Sequence, residues 1–227
     1  MSKKVEKKQD ELENVEHVLT TSEAFIEKYQ KQIFIGVGAI VLVVLVALSV
    51  RNFYLEPREV AAQNEMYKSQ AFFAADSFRV ALEGNEPNSM GFKQIASEYG
   101  FTASGKLASA YAGICYFKLG DTKKALDLLK SYDGSDKMIA PSVTGLIGDC
   151  LVNEGKVKDG IGYFEKAASQ ADNEVISPVY LKKAGLAYES LNQPKDAVKA
   201  YTTIKEKYFN SLEAADIDKY IARASAK

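Results

Sequence analysis

Apolar residues are spaced along this chain in two ways. Residues Ile33 to Val50, IFIGVGAIVLVVLVALSV, form an unbroken apolar run of eighteen residues with no charge and no proline. As a helix at ~1.5 Å per residue the run rises about 27 Å, close to the thickness of a bilayer's hydrocarbon core. A buried helix of a soluble protein keeps one polar face, and this run has none over about five turns. The stretch 33–50 therefore predicts a transmembrane helix. Ahead of it, Val5, Leu12, Leu19, Ile26 and Ile33 recur every seven residues. That weak heptad would allow a homo-oligomer through 5–33, although Thr20-Thr21-Ser22-Glu23 also resembles a capping box that would start a separate helix. Beyond Pro57 apolar residues recur at three- and four-residue spacing, strand-type alternation is missing, and Gly or Asn-Pro breaks are regular. This part predicts an all-α structure.

The helical part repeats itself. Tyr111–Leu129, Leu146–Phe164 and Lys183–Tyr201 align without gaps at spacings of 35 and 37 residues. In each, a glycine (Gly113, Gly148, Gly185) is followed three positions later by Tyr116, Leu151 or Tyr188. A turn residue comes next (Gly120, Gly155, Asn192), then a small residue (Ala125, Gly160, Ala197), and four positions on a bulky one (Leu129, Phe164, Tyr201). This resembles the tetratricopeptide repeat, in which two helices approach closely where both present small side chains and the large ones fill the groove beside them. The resemblance implies a right-handed α-solenoid. Gly160 departs from the pattern as a glycine inside a helix, worth roughly 1 kcal/mol against alanine, and marks its repeat as the expected loosest. Upstream, Ala61–Ala81 and Met90–Tyr99 read as two helices of an eroded first repeat that would cap the array. Ala214–Ala226 reads as a closing helix. The expected organisation is a cytoplasmic helical tail (1–32), the transmembrane helix (33–50), a divergent helical pair (51–103), three repeats (104–211) and a C-terminal capping helix (212–227).

Composition narrows the function classes. With 47% apolar and 26% charged residues and a net charge of −1 the chain has a globular balance. After Val50, 23 Lys and Arg face 23 Asp and Glu, so no nucleic-acid footprint exists. The single histidine, His17, sits in the charged tail without cysteine neighbours, which argues against a metal site. Cys115 and Cys150 lie at the same position of consecutive repeats, where backbones are roughly 9–10 Å apart and beyond disulfide reach, so two buried free thiols are expected. There is no Walker A sequence, no H-E-x-x-H, no G-x-S-x-G and no calcium loop. No enzyme activity and no cofactor are therefore expected.

Orientation is open on charge alone, because Lys28 and Lys31 before the run balance Arg51 and Arg58 after it. A short basic tail favours the cytoplasm, which places 51–227 across the membrane. Ala47-Leu48-Ser49 loosely fits a signal-peptide cleavage site, but an n-region of 32 residues is too long, so the anchor is expected to be retained. The arrangement of tail, anchor and repeat array, with DSFRVALEGN, LASAYAGICYFKLGD and YLKKAGLAYE, resembles the YfgM-type inner-membrane proteins, in a form similar to that of Bacteroidota. That resemblance implies a periplasmic adaptor or chaperone bound to the Sec translocon and to a membrane-anchored prolyl-isomerase chaperone, with secreted proteins as clients. The repeat pattern implies a concave binding surface formed by Ala110, Ile114, Phe117, Lys118, Asp149, Val152, Asn153, Lys182, Leu186 and Glu189. Asp149 and Lys182 are its expected polar anchors. A cytosol-facing import or assembly receptor and a structural oligomer remain alternatives.

Overall fold

A computed structural model describes residues 28–85, 87 and 89–226. The heptad before Ile33, the capping box at 20–23 and His17 lie outside the described residues. The chain separates into two units, Met1–Glu56 and Pro57–Lys227.

In the first unit, helix α1 (residues 28–50) exposes every residue from 30 to 50 and continues into a π-helical segment, Arg51–Leu55. Its most apolar eighteen-residue window has a mean hydropathy of 3.0. Among the described residues this is the one helix long and apolar enough to cross a membrane.

The second unit is a stack of helix pairs. The pairs are α5 (Ala103–Lys118) with α6 (Thr122–Ser131), α7 (Ile139–Asn153) with α8 (Val157–Ala171), and α9 (Ser177–Ser190) with α10 (Pro194–Lys207). Each first helix ends in the same way. Gly120, Gly155 and Asn192 adopt left-handed φ angles of 86°, 77° and 56°, a conformation that glycine enters freely and asparagine tolerates. The next N–H then reaches back into the last turn of the helix: Asp121 to the Tyr116 carbonyl at 2.9 Å, Lys156 to Leu151 at 2.9 Å, Gln193 to Tyr188 at 3.0 Å. This Schellman closure satisfies carbonyls that the helix end would orphan, and it turns the chain into the second helix.

The small and large positions meet as the repeat pattern requires. A Cβ on Gly113 would lie 2.8 Å from Leu129 Cγ, one on Gly148 would lie 2.7 Å from the Phe164 ring, and one on Gly185 would overlap the Tyr201 ring. Leu129, Phe164 and Tyr201 are correspondingly buried. The structure corrects the expectation for Gly160. A side chain there would meet Val152 Cγ2 at 2.7 Å and the Gly148 carbonyl at 3.0 Å, so glycines on both helices let the backbones of α7 and α8 touch. The missing methyl is a condition of close packing rather than a slack point.

Upstream, α2 (Glu56–Ala74) does not run on to Ala81. Asp76 turns left-handed at φ 55°, Ser77 N–H bonds the Phe72 carbonyl at 2.9 Å, and a separate α3 (Phe78–Glu83) begins. A two-residue hairpin, β1 (Gly84–Asn85) with β2 (Ser89–Met90), leads to α4 (Phe92–Glu98). These pieces pack through Ala62, Met66, Leu82, Phe92 and Ile95 against Ala108 and Ala112 of α5. At the other end a 3-10 turn, Glu213–Asp216, and α11 (Ile217–Ser225) cover α10 with Ile217 and Ala224.

Candidate polypeptide-binding surface

First helices of consecutive repeats lie side by side, and between α5 and α7 they leave a groove of about 300 Å³. One wall is Leu107, Ala110, Tyr111 and Ile114 of α5 with Phe73 of α2; the other is Met138, Ile139, Ser142, Val143 and Leu146. Both sets fall at three- and four-residue intervals, which is the spacing of a single helix face. No lining residue is charged. Tyr111 is fixed by an edge contact to Phe73 at 5.1 Å and by stacking on Phe92 at 4.8 Å, so the aromatic floor is held from behind. Asp136 sets the other wall by accepting from the Met138 and Ile139 amides at 2.9 and 2.5 Å, which caps α7. An apolar groove with a rigid floor takes up aliphatic or aromatic side chains of a polypeptide.

The ten residues expected on the binding surface divide sharply. Ala110 and Ile114 line the groove. Lys118, Asn153 and Leu186 are exposed. Phe117 packs beside the core formed by Leu126, Ile147 and Leu151, and Val152 packs beside Ile161 and Phe164. The polar anchors are engaged within the chain. Asp149 receives Lys183 Nζ from α9 at 2.9 and 2.6 Å. Lys182 donates to Asp216 at 2.8 Å with its ammonium 4.4 Å from the Tyr220 ring centre. Burial acts to lower the Lys182 pKa, and the hydrogen bond to Asp216, the Tyr220 phenol group and the Asp216 charge together outweigh it and hold the pKa above its usual value. Glu189 accepts from Tyr201 Oη at 2.9 Å and from Arg223 at 2.5 Å. Asp149 and Lys182, the expected polar anchors for a ligand, are thus each paired with a neighbouring segment of the chain. The groove residues missed by the sequence reading, Leu107 and Tyr111 on α5 and Ile139, Val143 and Leu146 on α7, carried a signal in their three- and four-residue spacing. Phe73 carried none, since it belongs to the eroded upstream pair.

Cys115 and Cys150 are both buried and free. Burial pushes the Cys115 thiol up to about 12, and burial with the charges of Asp149 and Glu154 pushes Cys150 up to about 11. Neither is disposed to react in the folded chain. Among the described residues no group of three or more His, Cys, Asp or Glu is gathered to hold a metal ion.

Stacked helix pairs with an apolar groove on the first helices define a helical-repeat scaffold of the protein-binding kind. The profile of the tetratricopeptide repeat matches residues 110–132 and 180–211. None of the curated proteins matches the sequence. Among solved structures the chain is similar to a putative kinesin light chain of Podosopora anserina with nearly identical TPR-like repeats. The likeness has 12% identity, a TM-score of 0.56, and coverage of 74% of this chain and 87% of that one. A single-substitution form of the same protein gives the same values with 86% of its chain covered. At that identity the likeness shows the fold.

Proposed function

We propose that this chain is a membrane-anchored tetratricopeptide adaptor that binds polypeptides in the groove between α5 and α7. The observation that carries this reading is the groove itself: uncharged, rigid-floored and formed by the first helices of a repeat array. The apolar α1, exposed from residue 30 to 50, supports the anchor. The closer reading is a periplasm-facing adaptor or chaperone beside the Sec translocon and a membrane-anchored prolyl isomerase. It rests on the resemblance of the tail, anchor and repeat arrangement to YfgM-type proteins.

Purification of the full chain from mildly crosslinked cells through a C-terminal tag tests the partner. Recovery of translocon subunits and the isomerase agrees with the closer reading, and recovery of cytosolic precursors alone moves the repeats to the cytosol. Ser2→Cys and Lys227→Cys, labelled in intact cells with an impermeant maleimide, give the orientation without interference, because both native thiols are buried. Labelling at residue 227 and protection at residue 2 is the expected result.

A further inference from the structure

A second cavity, of about 190 Å³, lies between the second helices α6 and α8 over α7. It shares only Val143 with the apolar groove. Part of its lining is packed and apolar, for Leu129, Val143 and Ile147 are buried. The remainder is rich in hydrogen-bond donors: Lys130 from the end of α6, Thr144 from α7, and Tyr163, Lys166 and Gln170 from α8. The three α8 positions stand three and four residues apart, so one face of that helix supplies them. The loop after α6 fixes one rim. Tyr132 donates its hydroxyl to Asp136 at 3.1 Å, and a Cβ on Gly134 would overlap that hydroxyl, so the loop folds onto the ring only with glycine there. No carboxylate lines the cavity.

We propose that this cavity binds a carboxylate, presented by an acidic side chain of a polypeptide ligand, at a site separate from the groove. Two ammonium groups that can only donate, joined by hydroxyl and amide groups, call for a ligand that brings acceptors and negative charge. The chain's own carboxylates near the cavity are engaged elsewhere. Asp133 pairs with Lys106 at 2.8 Å, Glu154 pairs with Lys156 at 2.8 Å, and Glu165 accepts from the Tyr188 hydroxyl at 2.8 Å. Among the described residues no ion pair takes up Lys130 or Lys166. Phosphate is the poorer fit, because phosphate sites draw on helix N-terminal amides or an arginine fork. The first amides of α7 are already held by Asp136, and no arginine lines the cavity. The cavity is also smaller than the roughly 300–1,000 Å³ that holds a whole small molecule. A glutamate or aspartate side chain suits it, its methylenes against the apolar part of the lining and its carboxylate at the lysines.

The test is fluorescence anisotropy of a fluorescein-labelled tetraglutamate peptide titrated with the full chain in neutral detergent micelles. Lys130→Gln with Lys166→Gln should weaken binding roughly tenfold or more. Lys195→Gln with Lys199→Gln makes the same change of charge on α10, outside the cavity, and should leave binding unchanged. Tyr163→Phe removes one hydroxyl at constant charge and should weaken binding roughly threefold. Met138→Ala, in the groove alone, should have no effect. Equal loss from both lysine pairs would reduce the binding to general charge attraction, and no loss from Lys130→Gln with Lys166→Gln would leave the cavity without a ligand; either result overturns the proposal. Loss from Met138→Ala alone would place the peptide in the groove, which also overturns it. Competition at equal ionic strength settles the chemistry: glutarate should displace the peptide at lower concentration than inorganic phosphate, and the reverse order would overturn the carboxylate assignment.

Discussion

The first-helix face between α5 and α7 and the corresponding face of α9 begin from one repeat pattern and end in opposite states. Between α5 and α7 the side chains are aliphatic or aromatic and the groove stays open. On α9 the same face carries Lys182 and Glu189, and the C-terminal segment closes over them through Asp216, Tyr220 and Arg223. The C-terminal segment pairs with the charged side chains on the α9 face, whereas the α5–α7 groove has no charged lining residue. A terminal repeat has no successor, and α11 takes the successor's place.

That contrast can be broken in order of expected effect. Tyr201 is fully buried in α10, fills the space over Gly185 and donates to Glu189. Tyr201→Ala should destabilise the second unit by about 3–5 kcal/mol in chemical denaturation, as large-to-small core substitutions do. It removes the support of the capped face while touching no groove residue. Ile139→Asp places a charge on the groove wall at the first residue of α7, where a carboxylate suits the helix N-terminus. Partner capture should weaken by about 1–3 kcal/mol with the thermal midpoint nearly unchanged. Unaltered capture would move the binding site off the groove.

Gly160→Ala separates intrinsic propensity from packing. Propensity alone gives a gain of roughly 1 kcal/mol, while the Val152 and Gly148 contacts predict a net loss of about 1 kcal/mol or more. The sign of the change in denaturation midpoint decides between them. The smallest effect belongs to Lys182→Glu. Its pair with Asp216 is partly exposed, so stability should fall by less than about 1 kcal/mol. Capture should not change, in contrast to Ile139→Asp. Equal loss of capture from both substitutions would show that the α9 face binds ligand after all.

The repeat fold was legible because its determinants are local. A small residue opposite a large one, and a glycine or asparagine where φ must turn positive, leave marks at fixed spacing, as at Gly113 with Leu129 and at Gly120, Gly155 and Asn192. Gly160 was misread because one helix's propensity says nothing of the backbone pressed against it. The break at Asp76 was missed because a single left-handed aspartate interrupts an otherwise helical pattern without the usual Gly or Pro. The site was half legible. Spacing shows which residues share a face, which recovers Ala110 and Ile114. It does not show that Asp149, Lys182 and Glu189 meet opposite charges arriving from 34 positions away in the chain.

The central claim is that polypeptides bind in the groove between α5 and α7, and crosslinking from within it is the most direct measurement. A photoreactive amino acid at Ile139, in the full chain in its native membrane, should yield discrete polypeptide adducts that disappear when Leu107→Asp is added on the facing wall. The same probe at Lys158, exposed on the second helix α8, should yield none. Identical adducts from both positions, or adducts from Ile139 that persist with Leu107→Asp, would contradict the account.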